Sequence, residues 1–188
     1  MPVQIIYETH SITEDNEHGT ATGWLPGALS AAGRAAAAAL GERRRDSGAA
    51  AIYVSDLLRA RQTTDIAFPD PSIPVISDTR LRECNYGEWN GMAVSRLRVE
   101  RAQRIHVPFP GGESYRQVVD RTRAFLADLL AARDGQTIIV VAHSANRWAI
   151  EHLLLGTSLD VLVDADFAWQ PGWEYRLDAG ALAPNRMG

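Results

Sequence analysis

Two histidines and an arginine stand close to the predicted ends of apolar strands, and side chains of these types can carry out chemistry. His10 follows the apolar run VQII, and His143 follows the apolar run TIIVVA. Arg59 lies four positions after Ser55, which ends a third apolar run, AAAIYVS. Because histidine changes its charge near neutral pH, it can act as an acid, a base or a nucleophile. These residues raise the question of a reaction centre, although each of them alone is more often a solvated or hydrogen-bonded side chain.

The elements that must position these residues alternate between strand and helix patterns. Strands are predicted at residues 3–8, 51–55, 73–77, 137–142 and 174–177, and helices at residues 30–45, 56–68, 94–105, 115–132 and 145–155. The continuous β-branched run TIIVVA is typical of a strand buried on both faces. The alternation predicts an α/β fold, a three-layer α/β/α sandwich with a largely parallel central sheet. One domain is expected over residues 1–188, with a loose tail at 183–188.

This topology would bring the reactive residues to one place. Ligands bind to an open α/β sheet in the crevice outside the carboxyl ends of its strands. His10, Arg59 and His143 each follow a predicted strand. We therefore expect them near one mouth of the sheet, although they are far apart in the sequence.

Composition narrows the classes of function. The net charge of −4 and the pI near 5.7 argue against a nucleic-acid partner. The basic run Arg43–Arg45 ends a predicted helix and is expected to be solvated. Cys84 is the only cysteine, so no disulfide or cysteine metal cluster can form within the chain, and no other ligand spacing predicts a metal or a cofactor. Without a signal-peptide pattern or an apolar run of membrane-spanning length, a cytoplasmic protein with no membrane partner is expected.

Five segments resemble, in their order along the chain, the motifs of the histidine phosphatase superfamily, which is also called phosphoglycerate mutase-like. They are TGWLPGALSAAGRAAA, VSDLLRARQTTDIAF, LRECNYGEWNG, GGESYRQVVDRTRAFL and TIIVVAHSANRWAIEHLL. Together they cover nearly the whole chain, and the arginine and second-histidine segments are the most specific of them. The resemblance implies a phosphoglycerate mutase-like fold and a phosphatase.

The resemblance also implies a role for each reactive residue. His10 matches the histidine that attacks phosphorus and becomes a phosphohistidine, and His143 matches the second histidine, which holds the phosphoryl oxygens. Arg59 matches an arginine that clamps the phosphoryl group with paired donors. Glu83 matches the acid that protonates the leaving oxygen and then activates water. A plainer alternative for Glu83 is an ion pair with Arg80 or Arg82.

The first motif departs from the family. Where the family has Arg-His-Gly-Glu, this chain has Thr9-His10-Ser11-Ile12, so a principal phosphate ligand is absent. The loss of one charge-assisted donor costs about 2.7–4 kcal/mol in the transition state. Glu8 precedes this motif, and its carboxylate would repel a phosphoryl group, recognise a cationic or hydroxyl-bearing part of a substrate, or hold the imidazole of His10. Arg147, in the first turn of the helix after His143, is a candidate to replace the missing cation, and a solvated helix arginine is the alternative.

The remaining predictions concern the substrate. The residues predicted to contact it, besides those already named, are Thr9, Ser11, Asn16, Trp24 and Ser144. The expected activity is metal-independent hydrolysis of a small phosphorylated metabolite. Hydrolysis is favoured over mutase transfer because the chain is short for the insertions that the family's glycerate mutases carry. A retooled non-phosphatase reaction (isomerase, mutase or other acid–base chemistry) and a non-catalytic metabolite-binding protein are the alternatives. The protein is expected to be a monomer or a homodimer.

Overall fold

Five strands form the central sheet of the chain, whose residues 1–70 and 72–182 are described by a computed structural model. Across the sheet they are β4 (Val75–Ser77), β3 (Ala51–Val54), β6 (Thr137–Ala142), β1 (Val3–Thr9) and β7 (Trp173–Leu177). The first four run parallel, and β7 lies antiparallel to β1 at the edge. Two further strands, β2 (Thr20–Ala21) and β5 (Met92–Ala93), form a separate ribbon. The predicted tail at 183–188 lies outside the described residues.

Helices cover both faces of this sheet. In the described part of the chain they are α1 (Glu14–Glu17), α2 (Ala31–Arg44), α3 (Leu58–Ala67), α4 (Val94–Glu100), α5 (Tyr115–Ala132), α6 (Ser144–Leu155) and α7 (Leu159–Asp164). On one face Ile5 and Val140 pack in a core with side chains of α5 and α6. On the other face Ile139 and Val141 pack with Ala60 of α3, against which α2 also lies. The predicted three layers and the largely parallel sheet are therefore confirmed.

Local sequence explains where several of these elements begin. The Ser30 hydroxyl accepts from the Gly33 amide and caps α2 at the predicted start of this helix, and Ser114 forms a capping box with Gln117 at the start of α5. A Cβ at Gly33 would lie 1.8 Å from the carbonyl oxygen of Ile12. Glycine is therefore required there, because α2 packs directly onto the loop that carries His10.

Some boundaries differ from the prediction. The predicted helix at 56–68 begins only at Leu58, because the backbone at Leu57 is extended. The predicted helix at 94–105 is divided into α4 and a 3-10 turn, Gln103–Ile105. The short helices α1 and α7 were not predicted, since their spans hold too few residues for a periodic apolar pattern. None of the helices in the described ranges is long and apolar enough to cross a membrane.

Candidate active site

A cavity of about 730 Å³ opens at the carboxyl ends of β1 and β6. Eight of the eleven residues named in the sequence as site candidates line it: Glu8, Thr9, His10, Ser11, Asn16, Arg59, Glu83 and Ser144. His143 lies behind this wall, and its ring centroid is 5.1 Å from that of His10. The fold thus brings both histidines and Arg59 to one mouth of the sheet.

His10 is held in the form that a nucleophile needs. Its Nδ1 lies 2.8 Å from the carbonyl oxygen of Ser11, and because a carbonyl can only accept, Nδ1 carries the hydrogen. The lone pair is then on Nε2, which accepts from Nε of Arg59 at 3.2 Å. Burial, and secondarily the Arg59 charge, lower the pKa of His10 to about 3, so the ring is neutral at neutral pH. Glu8 does not hold this imidazole; the Ser11 carbonyl does.

Arg59 is fixed by the loop that follows β2. Its side chain is buried, with 2% of the residue exposed. Its Nη2 donates to the carbonyl oxygen of Gly23 at 2.9 Å, and its Nη1 lies 3.5 Å from that of Leu25. No carboxylate is bonded to this guanidinium in the described residues, so its charge remains available to an anion beside His10.

Glu83 is a buried carboxyl group with the properties of an acid. Its Oε1 accepts from the Cys84 amide at 2.7 Å and from the Ala145 amide at 3.3 Å, at the start of α6. Burial raises the pKa of Glu83, although these hydrogen bonds and Arg59 oppose the shift. The predicted alternative, an ion pair with Arg80 or Arg82, is wrong.

The partners of those two arginines explain why. Arg80 forms ion pairs with Asp78 and Asp128, and Arg82 forms one with Asp56. Neither guanidinium is therefore left for Glu83, which faces the cavity instead.

His143 is completely buried and held from two sides. Its Nε2 lies 2.9 Å from the hydroxyl of Ser55, and its backbone carbonyl accepts from the hydroxyl of Tyr7 at 2.6 Å. Burial, followed by the charge of Arg59, lowers the pKa of His143 well below its ordinary value. This ring is therefore also neutral at neutral pH.

Glu8 forms ion pairs with two arginines at the end of α2. Its carboxylate accepts from Nε of Arg44 at 2.7 Å and from Nη2 of Arg43 at 3.1 Å. The prediction of a solvated helix end is wrong for these two arginines, because a buried carboxylate must be paired. Arg44 also donates to the carbonyl oxygen of Pro171. A Cβ at the adjacent Gly172, whose φ is +86°, would lie 2.2 Å from Nη2 of Arg44.

Two predicted contacts are not brought to the cavity wall. Arg147 pairs with Glu151 one turn along α6 and lies 4.8 Å above the ring of Trp173, so it does not replace the missing cation. Trp24 is turned away, because its indole Nε1 donates to the backbone carbonyl of Glu83 at 2.7 Å. The indole therefore holds the backbone of Glu83 and does not contact the substrate space.

Other side chains, which the sequence did not single out, complete the wall. Arg43 and Arg101 are its further cations, and Tyr86, Trp148, Phe167 and Trp169 are its aromatic side chains. No local pattern marks them as site residues, since they come from the end of α2, the interior of α6, turns and an irregular segment, which only the tertiary fold brings together. Among the described residues, no group of His, Cys, Asp or Glu side chains is arranged to hold a metal ion.

The chain is similar in sequence to known proteins along most of its length. The family described as "Histidine phosphatase superfamily (branch 1)" matches residues 9–168. Phosphoserine phosphatase 1 of Hydrogenobacter thermophilus is 29% identical over 165 residues, which cover 84% of this chain and 78% of that protein. The probable phosphoglycerate mutase GpmB of Salmonella paratyphi C is 29% identical over 162 residues, 82% of this chain and 75% of that protein.

Solved structures are similar in fold. A mycobacterial glucosyl-3-phosphoglycerate phosphatase complexed with VO3 superimposes with a TM-score of 0.76 at 27% identity, covering 85% of each chain. YhfR of Bacillus stearothermophilus superimposes with a TM-score of 0.79 at 25% identity, covering 90% of this chain and 88% of that one. The family match and these similarities confirm the resemblance drawn from the motifs. The chain therefore belongs to the histidine phosphatase superfamily, branch 1, as a phosphatase-like enzyme.

Proposed function

We propose that the chain hydrolyses phosphomonoesters of small metabolites through a phosphohistidine at His10. The observation that carries this proposal is the lone pair on Nε2 of a neutral His10, 3.2 Å from Nε of Arg59, in a cavity that Glu83 also lines. An imidazole nucleophile, a guanidinium for the phosphoryl oxygens and a carboxyl acid are the groups that a two-step phosphoryl transfer needs.

The steps follow from these groups. Nε2 of His10 bonds to phosphorus while the ester oxygen leaves with the proton of Glu83. Glu83, now a carboxylate, takes a proton from water, the water oxygen bonds to phosphorus, and phosphate leaves His10. The raised pKa of Glu83 supports the first step, since it keeps the proton on the carboxyl group to a higher pH.

The alcohol part of the substrate would lie against an apolar wall. The cavity is far larger than a phosphate ion, and its rim carries two exposed aromatic side chains, Phe167 at 53% and Trp169 at 66%. Leu40 and Ala36 of α2 extend the same wall. We therefore infer that the preferred alcohol carries an apolar group, in contrast to the phosphoserine in the name of one relative.

The test is a matched panel of phosphomonoesters. Ethyl and 2-phenylethyl phosphate have alcohols of similar acidity, so they separate binding of the apolar group from leaving-group chemistry. We expect phosphate release in the presence of a chelator, with kcat/KM about tenfold higher for the phenylethyl ester, which corresponds to about 1.4 kcal/mol. Base-quenched protein should carry an acid-labile phosphoryl group. No release from any ester and no labelled protein would overturn the proposal.

A second candidate function rests on Thr9. The first-motif arginine is absent, and Arg147 does not take its place, so the scaffold could serve another acid–base reaction or only bind a metabolite. That candidate predicts negligible phosphate release together with a metabolite retained by the purified protein, which mass spectrometry after denaturation would detect.

Restoring the family motif tests the same point. Thr9 lines the cavity next to His10, so Thr9→Arg would aim a further guanidinium at the phosphoryl group. We expect kcat to rise by about 10²–10³, the value of one preorganised donor at such a site. Thr9→Lys is the matched control, because it adds a point charge without the paired donors and should give a smaller gain. An unchanged kcat in Thr9→Arg would mean that Arg59 already suffices.

A further inference from the structure

Ser55 is a buried serine with two polar contacts. It directly follows β3, and none of its surface is exposed. Its Oγ accepts from the backbone amide of Leu57 at 3.3 Å and lies 2.9 Å from Nε2 of His143. The proposed two-step reaction does not use this hydroxyl.

The hydroxyl hydrogen of Ser55 has one acceptor within reach. The Leu57 amide only donates, so among the contacts of the described residues the hydrogen of Oγ can go only to Nε2 of His143. If Nε2 instead carried a hydrogen and donated it to Oγ, the hydroxyl hydrogen would be buried without a partner, which is costly. Ser55 is therefore the donor, and Nε2 carries the lone pair.

The hydrogen of the neutral His143 ring must then be on Nδ1. Nδ1 is buried, and it has no hydrogen-bond partner in the described structure. A buried N–H without an acceptor is rare in folded proteins and points to a partner that arrives with a ligand. The neighbouring ring is that of His10, with 5.1 Å between the centroids.

We propose that Ser55 is a positioning residue that holds His143 in the tautomer with hydrogen on Nδ1, so that this N–H is donated to the phosphoryl group on His10. This inference rests on the proposed function, because the acceptor is the transferred group. The two histidines are then set in the same tautomer by opposite means. A carbonyl accepts from Nδ1 of His10, whereas a hydroxyl donates to Nε2 of His143. One ring consequently offers a lone pair to phosphorus, and the other offers a hydrogen to oxygen.

The opposite tautomer would be unfavourable. With hydrogen on Nε2, His143 would turn the lone pair of Nδ1 towards the oxygens of an anion, and the donor would be lost when negative charge develops there. The backbone contact from Tyr7 to the His143 carbonyl fixes the position of the residue but not its tautomer. Ser55 alone, among the groups bonded to the His143 ring in the described residues, controls the hydrogen.

The test is ¹⁵N NMR of the histidine rings in the intact protein. The shifts of the two ring nitrogens distinguish a protonated from an unprotonated nitrogen, and this measurement does not depend on phosphate release. We expect Nδ1 of His143 to be protonated and Nε2 unprotonated at pH 7, and the Nδ1–H signal to move when inorganic phosphate is added. A protonated Nε2, or an Nδ1–H signal that phosphate leaves in place, would overturn the inference.

Variants separate this role from a merely structural one. We expect Ser55→Ala to lower kcat about 10–100-fold, to change KM little and to lose the Nδ1–H preference, while Ser55→Thr, which keeps the hydroxyl, retains the wild-type tautomer. Ser114→Ala is the matched control, since it removes a buried cap hydroxyl from α5 and should leave the His143 signals unchanged. If Ser55→Ala does not fold, the spectra of the wild type and Ser55→Thr still decide the question. If the spectra are as expected but no ester releases phosphate, the proposed function is rejected, whereas the assignment of the His143 tautomer to Ser55 stands.

Discussion

Replacement of His10 by alanine is expected to lower phosphate release by roughly 10⁴-fold or more and to abolish the phosphoryl label on the protein. The variant keeps Arg59 and Glu83, so a residual rate remains from direct attack of water on a bound ester. It has, however, no Nε2 to receive phosphorus. Rapid-quench measurement of labelled protein, together with steady-state phosphate release, gives both quantities on one preparation.

His18→Ala is the matched control for this change. His18 is the exposed C-cap of α1, in the polypeptide that follows His10, and it is not on the cavity wall. We expect this variant to keep the parental rate and the parental label. Labelled protein in the His10→Ala variant would mean that another side chain receives the phosphoryl group, and the assignment of the nucleophile would have to be abandoned.

The low pKa of His10 has a consequence for the acid side of the pH profile. Because the pKa is lowered to about 3, the ring stays neutral from neutral pH down to about pH 4. An ordinary histidine, with a pKa near 6.5, would be mostly protonated at pH 5. The rate of protein labelling should therefore not fall between pH 7 and pH 5 through protonation of the nucleophile.

Replacement of Glu83 by glutamine is expected to lower kcat by about 10²–10⁴ for alkyl phosphates and much less for aryl phosphates. An alkoxide is a poor leaving group and needs the proton of Glu83, whereas a phenolate leaves without it. The pH dependence follows from the same proton. In the parent, formation of the labelled protein should slow as pH rises through the raised pKa of Glu83, because the carboxyl group loses the proton that it must donate.

The control for the Glu83 change lies in the same loop. Glu88 is exposed and absent from the cavity wall, so Glu88→Gln should leave kcat unchanged for both classes of ester. Equal losses for alkyl and aryl phosphates in Glu83→Gln would contradict its role as the acid. That result would point to a loss of the support that Glu83 gives to the Cys84 and Ala145 amides.

The sequence was sufficient for the parts of the site that depend on backbone topology. His10, Arg59 and His143 follow strands whose apolar pattern is clear, and parallel strands bring their carboxyl ends to one edge. The strand β6 and the helix α5 have the predicted bounds, 137–142 and 115–132.

The sequence was not sufficient where a side chain chooses between distant partners. Arg147 pairs within its own helix, and Glu8 pairs with Arg43 and Arg44, which are more than thirty positions away. The direction of a helical side chain and the partner of a buried charge depend on packing that no local pattern encodes. Trp169 was not proposed for the site because aromatic side chains at such spacing more often belong to a core, whereas the structure leaves Trp169 exposed at the cavity.

The ion pair between Glu8 and Arg44 joins the reactive strand to the aromatic rim. Arg44 also donates to the Pro171 carbonyl, and Gly172 leaves room for the guanidinium. Grafting a loop from another phosphatase in place of residues 166–170 should thus change ester preference without moving the nucleophile only if the graft preserves Pro171 and Gly172. We therefore expect ester preference to be changed independently of the reaction at His10 only while the contacts of Arg44 with Glu8 and with Pro171 are kept.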